Sequence, residues 1–451
     1  MIVNCRSLKS ERKQHDLLDL IESHKPDVIC GQESHIDSSF ADGEIFPAEY
    51  NMSRKDRDIH GGGVFVAVSN RLISTTEYSL NSKCEVMWCK ICIAGNKPLY
   101  VGSYYRPTND KQEPLQELNT SLSKISQNGS LPNVILGGDF NLPSIKWDNN
   151  TIQANPQYGY KVNRLLLDIV EDHGLQQHVN KPTRLNNILD LLLTTNPDLV
   201  EEIQVFPGMS DHSVVTGVVN VKAKVNKHPP RKVYLFRKMN VEEMKKESKA
   251  FQENVIQKNE LGNNPNLASA SWNDFKTKVN DMVQKHVPQK TIRQKWDVPW
   301  MTPEIKRLIR KKTRVYKVYK KYNSESKWEQ FKQLRKSVQK SMQKAKNDYF
   351  MCLLDDGTKT IGNDEVNPTT GKKFWTHVKS VKRDGCGVAT LSVDGEEISS
   401  AKGKAKALNQ QYESVFTSEN LEQIPRMEGK PFPDIDPLTI DQDGVKSSCK
   451  K

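Results

Sequence analysis

The chain has 451 residues, a formal net charge of +12 at pH 7 and 8 cysteines. This length predicts roughly two or three domains. No run of apolar residues is long enough to span a bilayer, and the start MIVNCRSLKS has neither the basic beginning nor the apolar core of a signal peptide. We therefore expect no membrane partner and no secretion, and the scattered cysteines suit a reducing compartment.

Charge is distributed unevenly along the chain. Residues 1–222 hold 21 Lys and Arg against 27 Asp and Glu, and since the totals are 67 and 55, residues 223–451 hold 46 and 28. Such asymmetry points to a polyanionic partner such as nucleic acid. We predict four regions: a domain at 1–222, a linker with polar helices at 223–300, a basic helical segment at 301–350 and a tail at 351–451.

Short apolar runs rich in Val and Ile recur through the first domain between turn-forming residues, which is typical of strands. Examples are DVIC, GGVFVAVS, LYVGSYY, NVILGG and HSVVTGVVNV. Two segments have helical periodicity instead: SERKQHDLLDLIESHK, with Ser10 as N-cap, and YKVNRLLLDIVEDHG, which ends at Gly174. Many strands with few helices predict an α/β fold, a four-layer sandwich of two packed, mainly antiparallel sheets flanked by helices.

A basic helical extension is predicted to follow this sandwich. Residues 303–350 contain 16 Lys and Arg against 4 Asp and Glu, with Pro303 at the start of one or two long helices and aromatic residues interleaved. The aromatics could pack on a neighbour, but basic helices of this density more often bind phosphates, and we predict phosphate binding. CLLDDG at 352–357 resembles a polymerase Asp-Asp motif. Because it ends a basic helix, we interpret Asp355-Asp356 as a helix-terminating turn and expect no polymerisation.

Polar side chains stand at the ends of several predicted strands. They are Asn4, Gln32, Glu33, Tyr104, Tyr105, Arg106, Asp139 and Asn141, with Ser210, Asp211 and His212 just before a strand. Asp190 interrupts the apolar run NNILDLLLTT, where a carboxylate is costly unless it is paired. Each residue alone has a structural explanation, such as a turn, a core tyrosine or a cap. Together they supply oxygen ligands that suit Mg²⁺ or Mn²⁺ rather than zinc, and an acid and a base for phosphodiester hydrolysis.

Other chemistries are not favoured. Ser210, Asp211 and His212 are adjacent and cannot converge as a nucleophilic triad. The sequence has no G-x-S-x-G elbow, P-loop or G-x-G-x-x-G motif. Three clustered cysteines in KCEVMWCKICI, Cys84, Cys89 and Cys92, have no fourth ligand nearby, so a zinc site is not expected.

The polar motifs also carry a family resemblance. In chain order, Asn4, GQE at 31–33, YYRP at 104–107, GGDFN at 137–141, Asp190 and SDH at 210–212 resemble the endonuclease/exonuclease/phosphatase superfamily. More narrowly, the first domain resembles the apurinic-type endonuclease of LINE-type (non-LTR) retrotransposons of the jockey-like group. GKKFWTHVKSVKRDG and GKAKALNQQYESVFTSEN resemble the connector that these elements place before a reverse transcriptase. We expect the chain to end before that enzyme.

The resemblance implies a divalent cation and assigns its ligands. Glu33 would bind Mg²⁺ (or Mn²⁺), with Asn4 beside it. Asp211 would complete the metal or water network.

The resemblance also implies the groups that act on the phosphate. Asp139 would orient and help deprotonate the attacking water, and Asn141 would hold phosphate or water. Tyr105 would hydrogen-bond the scissile phosphate. His212 would contact the same phosphate and stabilise the transition state, with its tautomer fixed by Asp190.

The leading hypothesis is a Mg²⁺-dependent DNA endonuclease that nicks one strand and leaves a 3′-hydroxyl for target-primed reverse transcription. Its partners would be DNA and possibly element RNA, and it would act in the nucleus after import from the cytoplasm. The oligomeric state is not indicated. We predict nucleic-acid contacts at Arg106, Ser210, Lys311, Lys312 and Arg314. Two alternatives stay open: a phosphatase or phosphodiesterase of the same fold, and a catalytically inactive retrotransposon remnant that binds nucleic acid.

Overall fold

The structure is a computed structural model of the full chain. It describes residues 1–126, 132–154, 159–225, 231–259, 267–292, 298–355, 374–378, 391–393, 396–398 and 400–416. These residues form two compact units, one within 1–400 and one from Ala401 onward. Among the described helices, none combines the length and the hydropathy of a membrane-spanning segment.

The predicted domain at 1–222 is built from short strands and a few helices. The strands are β1 (Ile2–Asn4), β2 (Val28–Gln32), β3 (Tyr50–Lys55), β4 (Val64–Ser69), β5 (Ser74–Thr76), β6 (Glu85–Ile91), β7 (Leu99–Tyr105), β8 (Asn133–Asp139), β9 (Ile145–Lys146), β10 (Thr151–Ile152), β11 (Gln176–Gln177), β12 (Asp190–Thr194), β13 (Val200–Phe206) and β14 (Val214–Val219). The helices are α1 (Glu11–His24), α2 (Asp42–Ile45), α3 (Glu113–Ser126) and α4 (Tyr160–Asp172). Both predicted helices of this domain are present, as α1 and α4.

Local signals explain where these two helices begin and end. The predicted N-cap Ser10 accepts a hydrogen bond from the Lys13 amide, which satisfies one free N–H of the first turn of α1. The chain leaves α1 through Lys25 in a left-handed conformation, φ 46°. Gly174 follows α4 with φ +58°, a backbone region that glycine enters without steric cost.

Twelve strands form two six-stranded sheets. The first sheet has the order β13-β14-β1-β2-β4-β3 and the second has the order β11-β12-β8-β7-β6-β5. Within each sheet one pair is parallel, β1 with β2 and β7 with β8, and the other pairs are antiparallel. The predicted mainly antiparallel sheets are confirmed.

Alternation along the strands divides the interior into three apolar layers. In β4, Val64, Val66 and Val68 face the second sheet, while Phe65 and Ala67 face α1. A third cluster packs α3 and α4 on the far side of the second sheet. The order is therefore helix, sheet, sheet, helix, and the predicted four-layer sandwich is confirmed.

Small and polar residues bring the two sheets close together near one edge. A Cβ atom on Gly137 would lie 2.7 Å from Cγ1 of Ile2 in the other sheet, and one on Gly138 would lie 2.0 Å from the Tyr104 carbonyl oxygen of the neighbouring strand β7. The two glycines of GGDFN thus allow β8 to pack where a larger residue would clash. Buried Gln32 donates to Ser103 Oγ at 2.9 Å and so links the two sheets.

After residue 225 the described chain is mainly helical. Its elements are β15 (Arg231–Tyr234), α5 (Val241–Asn259), α6 (Leu267–His286), β16 (Gln289–Ile292), α7 (Pro303–Tyr322), α8 (Glu325–Asp355), β17 (Leu391–Val393) and β18 (Glu396–Ile398). The second unit contains α9 (Ala401–Val415). The predicted polar helices and the start at Pro303 are present. The α8 helix ends at Asp355, and Asp356 lies outside the described residues, as does most of the predicted tail.

The α7–α8 hairpin packs on the outer face of α1 as a further layer. Leu18 of α1 is buried in a cluster with Ile305, Ile309, Val338 and Met342 of the hairpin. Aromatic rings extend the contact. Phe206, at the end of β13, packs against Tyr316 of α7. Tyr316 packs against Tyr319 and Phe331, and Trp328 packs against both of these rings. Four of the interleaved aromatics, Tyr316, Tyr319, Trp328 and Phe331, are therefore packing residues, which is the alternative that the phosphate-binding prediction set aside, whereas Tyr322 is exposed. The basic side chains of the same helices lie mostly outward.

Candidate active site

The strand ends that carry the predicted polar residues meet at one edge of the two sheets. In the first sheet Asn4 ends β1, in parallel register with Gln32 at the end of β2. In the second sheet Asp139 ends β8 and pairs with both Tyr105 of β7 and Asp190 at the start of β12. Because β12 is antiparallel to β8, its first residue lies at the edge where β8 ends.

Asn4 joins two carboxylates at this edge. Its side-chain nitrogen donates to Glu33 Oε1 and to Asp139 Oδ2, both at 3.0 Å. Asn4 and Asp139 are buried, whereas Glu33 is half-buried and faces solvent at the rim. Residues 135 positions apart in the chain are thereby held in one hydrogen-bonded group.

His212 continues this group on the other side of Asp139. Its Nδ1 lies 2.8 Å from Asp190 Oδ2, and its Nε2 lies 3.8 Å from Asp139 Oδ2. All three side chains are nearly inaccessible, and their potential ligand atoms lie within 4.8 Å of one another, so they could hold a metal ion. When Nδ1 carries a proton and donates a hydrogen bond to Asp190, Nε2 is directed toward Asp139.

Burial and neighbouring charges shift the pKa of both partners. Burial, and next the carboxylate of Asp190, raise the pKa of Asp139 to about 8, while His212 acts in the opposite direction. Burial disfavours the imidazolium of His212, but the hydrogen bond and charge of Asp190 outweigh it and raise the pKa of His212 to about 9. The site therefore contains a carboxyl group that is a stronger base than usual beside a histidine that holds its proton more tightly.

Tyr105 and Asn141 border the same group. Burial, then the charges of Glu33 and Asp139, raise the pKa of Tyr105, so its hydroxyl stays protonated and can donate a hydrogen bond. The Asn141 amide N–H donates to Asp139 Oδ1 at 3.1 Å, and its side chain donates to the Arg106 carbonyl at 2.8 Å.

Two of these residues have left-handed backbone conformations. Glu33 has φ 52° and Asn141 has φ 49°. Asparagine enters this region with little penalty, but a glutamate there is uncommon and is strained by steric contact of its Cβ. Such strain persists where the surrounding structure enforces it, and it is concentrated at functional sites.

Several residues that sequence reasoning missed support the site. Thr183 Oγ1 accepts hydrogen bonds from the Leu189 and Asp190 amides and so orients the start of β12. His35 Nε2 lies 3.5 Å from Glu33 Oε2. His35 could have been noticed from its position two residues after Glu33, but nothing in KPTRLNN marks Thr183.

The donor set fits a hard divalent cation. Glu33 and Asp139 contribute carboxylate oxygens on either side of the Asn4 amide, and carboxylate and amide oxygens are the ligands that Mg²⁺ and Mn²⁺ prefer. Asn4 Oδ1 is buried and has no hydrogen-bond partner among the residues that the structure describes. Because the amide nitrogen now faces both carboxylates, a flip of the Asn4 amide would direct this acceptor toward a cation bound between them and remove its desolvation penalty.

Four predicted site residues are engaged elsewhere. Asp211 pairs with Arg6 at 3.0 Å and with Arg184 at 2.6 Å, so its carboxylate is neutralised by arginines at the rim, where the prediction had placed it in a metal or water network. Ser210 Oγ donates to the Asn4 carbonyl at 2.9 Å and accepts from the His212 amide. The hydroxyl predicted to contact nucleic acid instead holds the His212 loop against β1.

Arg106 and Lys312, two of the predicted nucleic-acid contacts, are buried in this structure. Arg106 is 0% exposed, and its guanidinium donates to the carbonyls of Pro107, Asn109 and Lys111. Lys312 is buried between α7 and α1 in an ion pair with Asp19.

The other two predicted contacts, Lys311 and Arg314, are exposed on α7. Their assignment to nucleic acid remains a prediction.

The two-sheet sandwich, with carboxylates, an amide and a histidine gathered at the strand ends, is the architecture that the resemblance to the endonuclease/exonuclease/phosphatase superfamily implies. Residues 99–216, from β7 into β14, match a family model described as Endonuclease-reverse transcriptase. Residues 301–352 match one described as Female sterile protein K10 C-terminal domain. No curated protein matches the chain. The resemblance to the superfamily is confirmed by the first match.

Solved structures also match about half of the chain. An AP endonuclease from Archaeoglobus fulgidus is 17% identical over 49% of this chain and 98% of its own, with a TM-score of 0.38. The catalytic domain of Xenopus laevis APE2 is 16% identical over 50% of this chain and 92% of its own, with a TM-score of 0.39. The 3′ phosphatase NExo from Neisseria, bound to a product DNA hairpin, is 14% identical over 49% of this chain and 98% of its own, with a TM-score of 0.36.

Proposed function

We propose that this protein is a divalent-metal-dependent DNA endonuclease that hydrolyses one phosphodiester bond and leaves a 3′-hydroxyl. The observation that carries the proposal is the continuous group of contacts from Glu33 through Asn4, Asp139 and His212 to Asp190. This group combines a half-exposed carboxylate, a buried base and a cationic hydrogen-bond donor at one edge of the fold. Phosphodiester hydrolysis requires these three kinds of group.

Asp139 acts as the base in this mechanism. It accepts a proton from the attacking water, whose oxygen forms a new bond to phosphorus as the P–O3′ bond breaks. Its raised pKa makes the ionised form of Asp139 a stronger base than an ordinary carboxylate. The departing 3′ oxygen takes a proton from solvent.

His212 and Tyr105 stabilise the charge on the phosphate. The imidazolium of His212 donates from Nε2 to a non-bridging oxygen, while Asp190 holds Nδ1 and thus the orientation of the ring. The protonated hydroxyl of Tyr105 donates to the same phosphate. Asn141, fixed by its bond to the Arg106 carbonyl, borders the water that Asp139 orients.

Glu33 and Asn4 would hold Mg²⁺ or Mn²⁺. Bound there, the cation supplies positive charge that offsets the negative charge developing on the phosphate.

The biological setting is proposed from the family resemblance. The match of residues 99–216 to the Endonuclease-reverse transcriptase family supports a non-LTR retrotransposon origin. In that setting the nick would prime reverse transcription on target DNA, and the protein would act in the nucleus.

Plasmid nicking tests the proposal. Supercoiled DNA is incubated with the full chain and Mg²⁺, and with the Asp139→Asn and His212→Ala variants. We expect the parent to produce open circles whose nicks a DNA polymerase can extend without end repair, and chelation of Mg²⁺ to abolish nicking. Each variant should be slower by about 10²-fold or more, the usual contribution of a positioned acid or base.

Two outcomes would overturn the proposal. Equal nicking by the parent and both variants would favour an inactive remnant with contaminating nuclease. Turnover of a phosphoinositide or of poly(A), with plasmid DNA intact, would favour a phosphatase or phosphodiesterase of this fold.

A further inference from the structure

A groove of 580 Å³ runs between the start of α1 and the first half of α8. Basic residues from both helices line it: Arg12, Lys13, Lys332, Arg335 and Lys336. Two carboxylates, Asp16 and Glu329, also line it. The groove therefore has an excess of positive charge, although residues 1–222 as a whole are acidic.

Most of the groove cations have no anionic partner. Among the residues that the structure describes, Arg12, Lys13, Arg335 and Lys336 form no ion pair, whereas Lys332 pairs with Glu329 at 2.5 Å. Burial lowers the pKa of Lys13, the groove carboxylate Asp16 partly opposes this shift, and the charges of Arg6 and Arg335 add to it. Uncompensated cations that share a concave surface create a potential that attracts a polyanion.

The same cations hold the loop that carries His212. Lys13 donates to the Met209 carbonyl at 2.7 Å, and Arg335 donates to the Gly208 carbonyl at 2.9 Å. Met209 lines the groove and lies three residues before His212. Lys13 also donates to the carbonyl of Cys5, the residue after Asn4, at 3.0 Å. The groove cations therefore contact both chain segments that lead to Asn4 and His212.

We propose that this groove binds the phosphate backbone of the DNA strand that continues from the scissile phosphate. The inference rests on the proposed function, because it names a DNA subsite for that reaction. Arg12 and Lys336 are exposed on opposite walls and contact phosphates. Lys13 and Arg335 contribute positive charge to the groove, and their N–H groups hold the loop that carries His212. The same two residues therefore position both the bound DNA strand and this loop. The α7–α8 hairpin thus contributes to DNA binding through the residues of α8 that line the groove beside α1.

Salt-dependent DNA binding tests this inference. All proteins carry Asp139→Asn so that a short labelled duplex is bound without cleavage. The groove variant is Arg12→Gln with Lys336→Gln. The control is Lys222→Gln with Lys224→Gln, which removes the same charge from exposed positions after the end of β14 that do not line the groove. Affinity is measured by fluorescence anisotropy across a salt series, after thermal unfolding has shown that all proteins fold alike.

We expect the groove variant to bind more weakly and its slope of log affinity against log salt to become shallower by about 0.9 for each lost phosphate contact, or about 2 in all. The control should keep the slope of the parent. An unchanged groove variant would overturn the inference, and so would equal changes in both variants, which would indicate net charge alone. A slope change with single-stranded RNA but not with DNA would also overturn it.

Failure of this inference is distinguishable from failure of the proposed function. Binding is measured without cleavage, so a protein that never nicks DNA can still show the groove effect. Conversely, the parent protein could nick DNA while the groove variant binds DNA as tightly as the parent. That result would support the proposed function and overturn the groove as a DNA-binding subsite.

Discussion

The Asp190–His212 pair is the most consequential contact at the residue scale. Both side chains are almost fully buried, with 3% and 1% of the side chains of His212 and Asp190 exposed. Removing one member of such a pair leaves the other without compensation. The negative charge of Asp190 stabilises the imidazolium form of His212. The position of Asp190 fixes which ring nitrogen of His212 faces Asp139.

We predict that Asp190→Asn reduces the single-turnover cleavage rate by about 10²-fold or more, because His212 loses both its proton and its preferred tautomer. The matched control is Asp198→Asn, which neutralises an exposed carboxylate a short distance further along the chain. The control should cleave like the parent. Equal rates for Asp190→Asn and the parent would show that the pair has only a structural role.

Much of the candidate site could be predicted from residues at strand ends. Asn4, Asp139 and His212 each adjoin an apolar strand, and polar groups there project from a sheet edge. Arg106 and Lys312 could not be assigned correctly, because an arginine or lysine has the same appearance in sequence whether it meets solvent or a buried partner. Only the packing of 107–111 and of α1 shows that both are internal.

At the scale of elements, the docking of α7 on α1 depends on the ion pair of Asp19 with Lys312. Their side chains are 7% and 8% exposed. We predict that Lys312→Met lowers the free energy of unfolding by about 3–5 kcal/mol, because Asp19 is left charged and buried. Urea denaturation measures this change.

Two controls make the result specific. Lys311→Met removes a charge from the neighbouring exposed position and should change stability by less than about 0.5 kcal/mol. Asp19→Leu combined with Lys312→Met replaces the whole pair by apolar side chains and should lose less stability than Lys312→Met alone. A double variant that loses as much free energy of unfolding as the two single variants together would contradict the account.

The same interface makes stability depend on pH. Burial, then the charge of Lys346, lowers the pKa of His15 to about 4, and burial, then Lys312, lowers that of His24 to about 4. At pH values between about 6.5, the pKa of histidine in the unfolded chain, and about 4, its pKa in the folded chain, the unfolded chain binds more protons than the folded chain. Stability is therefore complete above about pH 6.5 and falls as the pH drops toward 4.

Urea denaturation at neutral and mildly acidic pH measures this dependence. The His15→Gln, His24→Gln double variant should lose much of it, because the two groups that must take up protons are absent. A parent and a double variant with the same pH dependence would show that other groups control acid stability.

Elements could be predicted where local signals are complete. Ser10 caps α1, Gly174 follows α4, and Pro303 begins α7, each as the sequence indicates. The position of the α7–α8 hairpin on α1 could not be predicted, because the apolar stripe of Ile305 and Ile309 shows that a face is covered but not by which element.

At the scale of the whole molecule, the sandwich and the helical hairpin meet beside the candidate site. Each sheet has one parallel pair whose strands end together, and these two ends supply Asn4 and Asp139. The hairpin reaches the same edge through the Arg335 bond to the loop before His212. One compact unit thus joins the candidate site to a basic surface.

The single-turnover rate of DNA duplex cleavage by the full chain, with enzyme in excess and Mg²⁺ present, tests the central claim most directly. The comparison is between Asp139→Asn and Asp148→Asn, which neutralises an exposed carboxylate after the same strand. We predict that Asp148→Asn cleaves like the parent and that Asp139→Asn is slower by about 10²-fold or more. Equal cleavage by both variants would contradict the claim that the strand-end residues form one hydrolytic site.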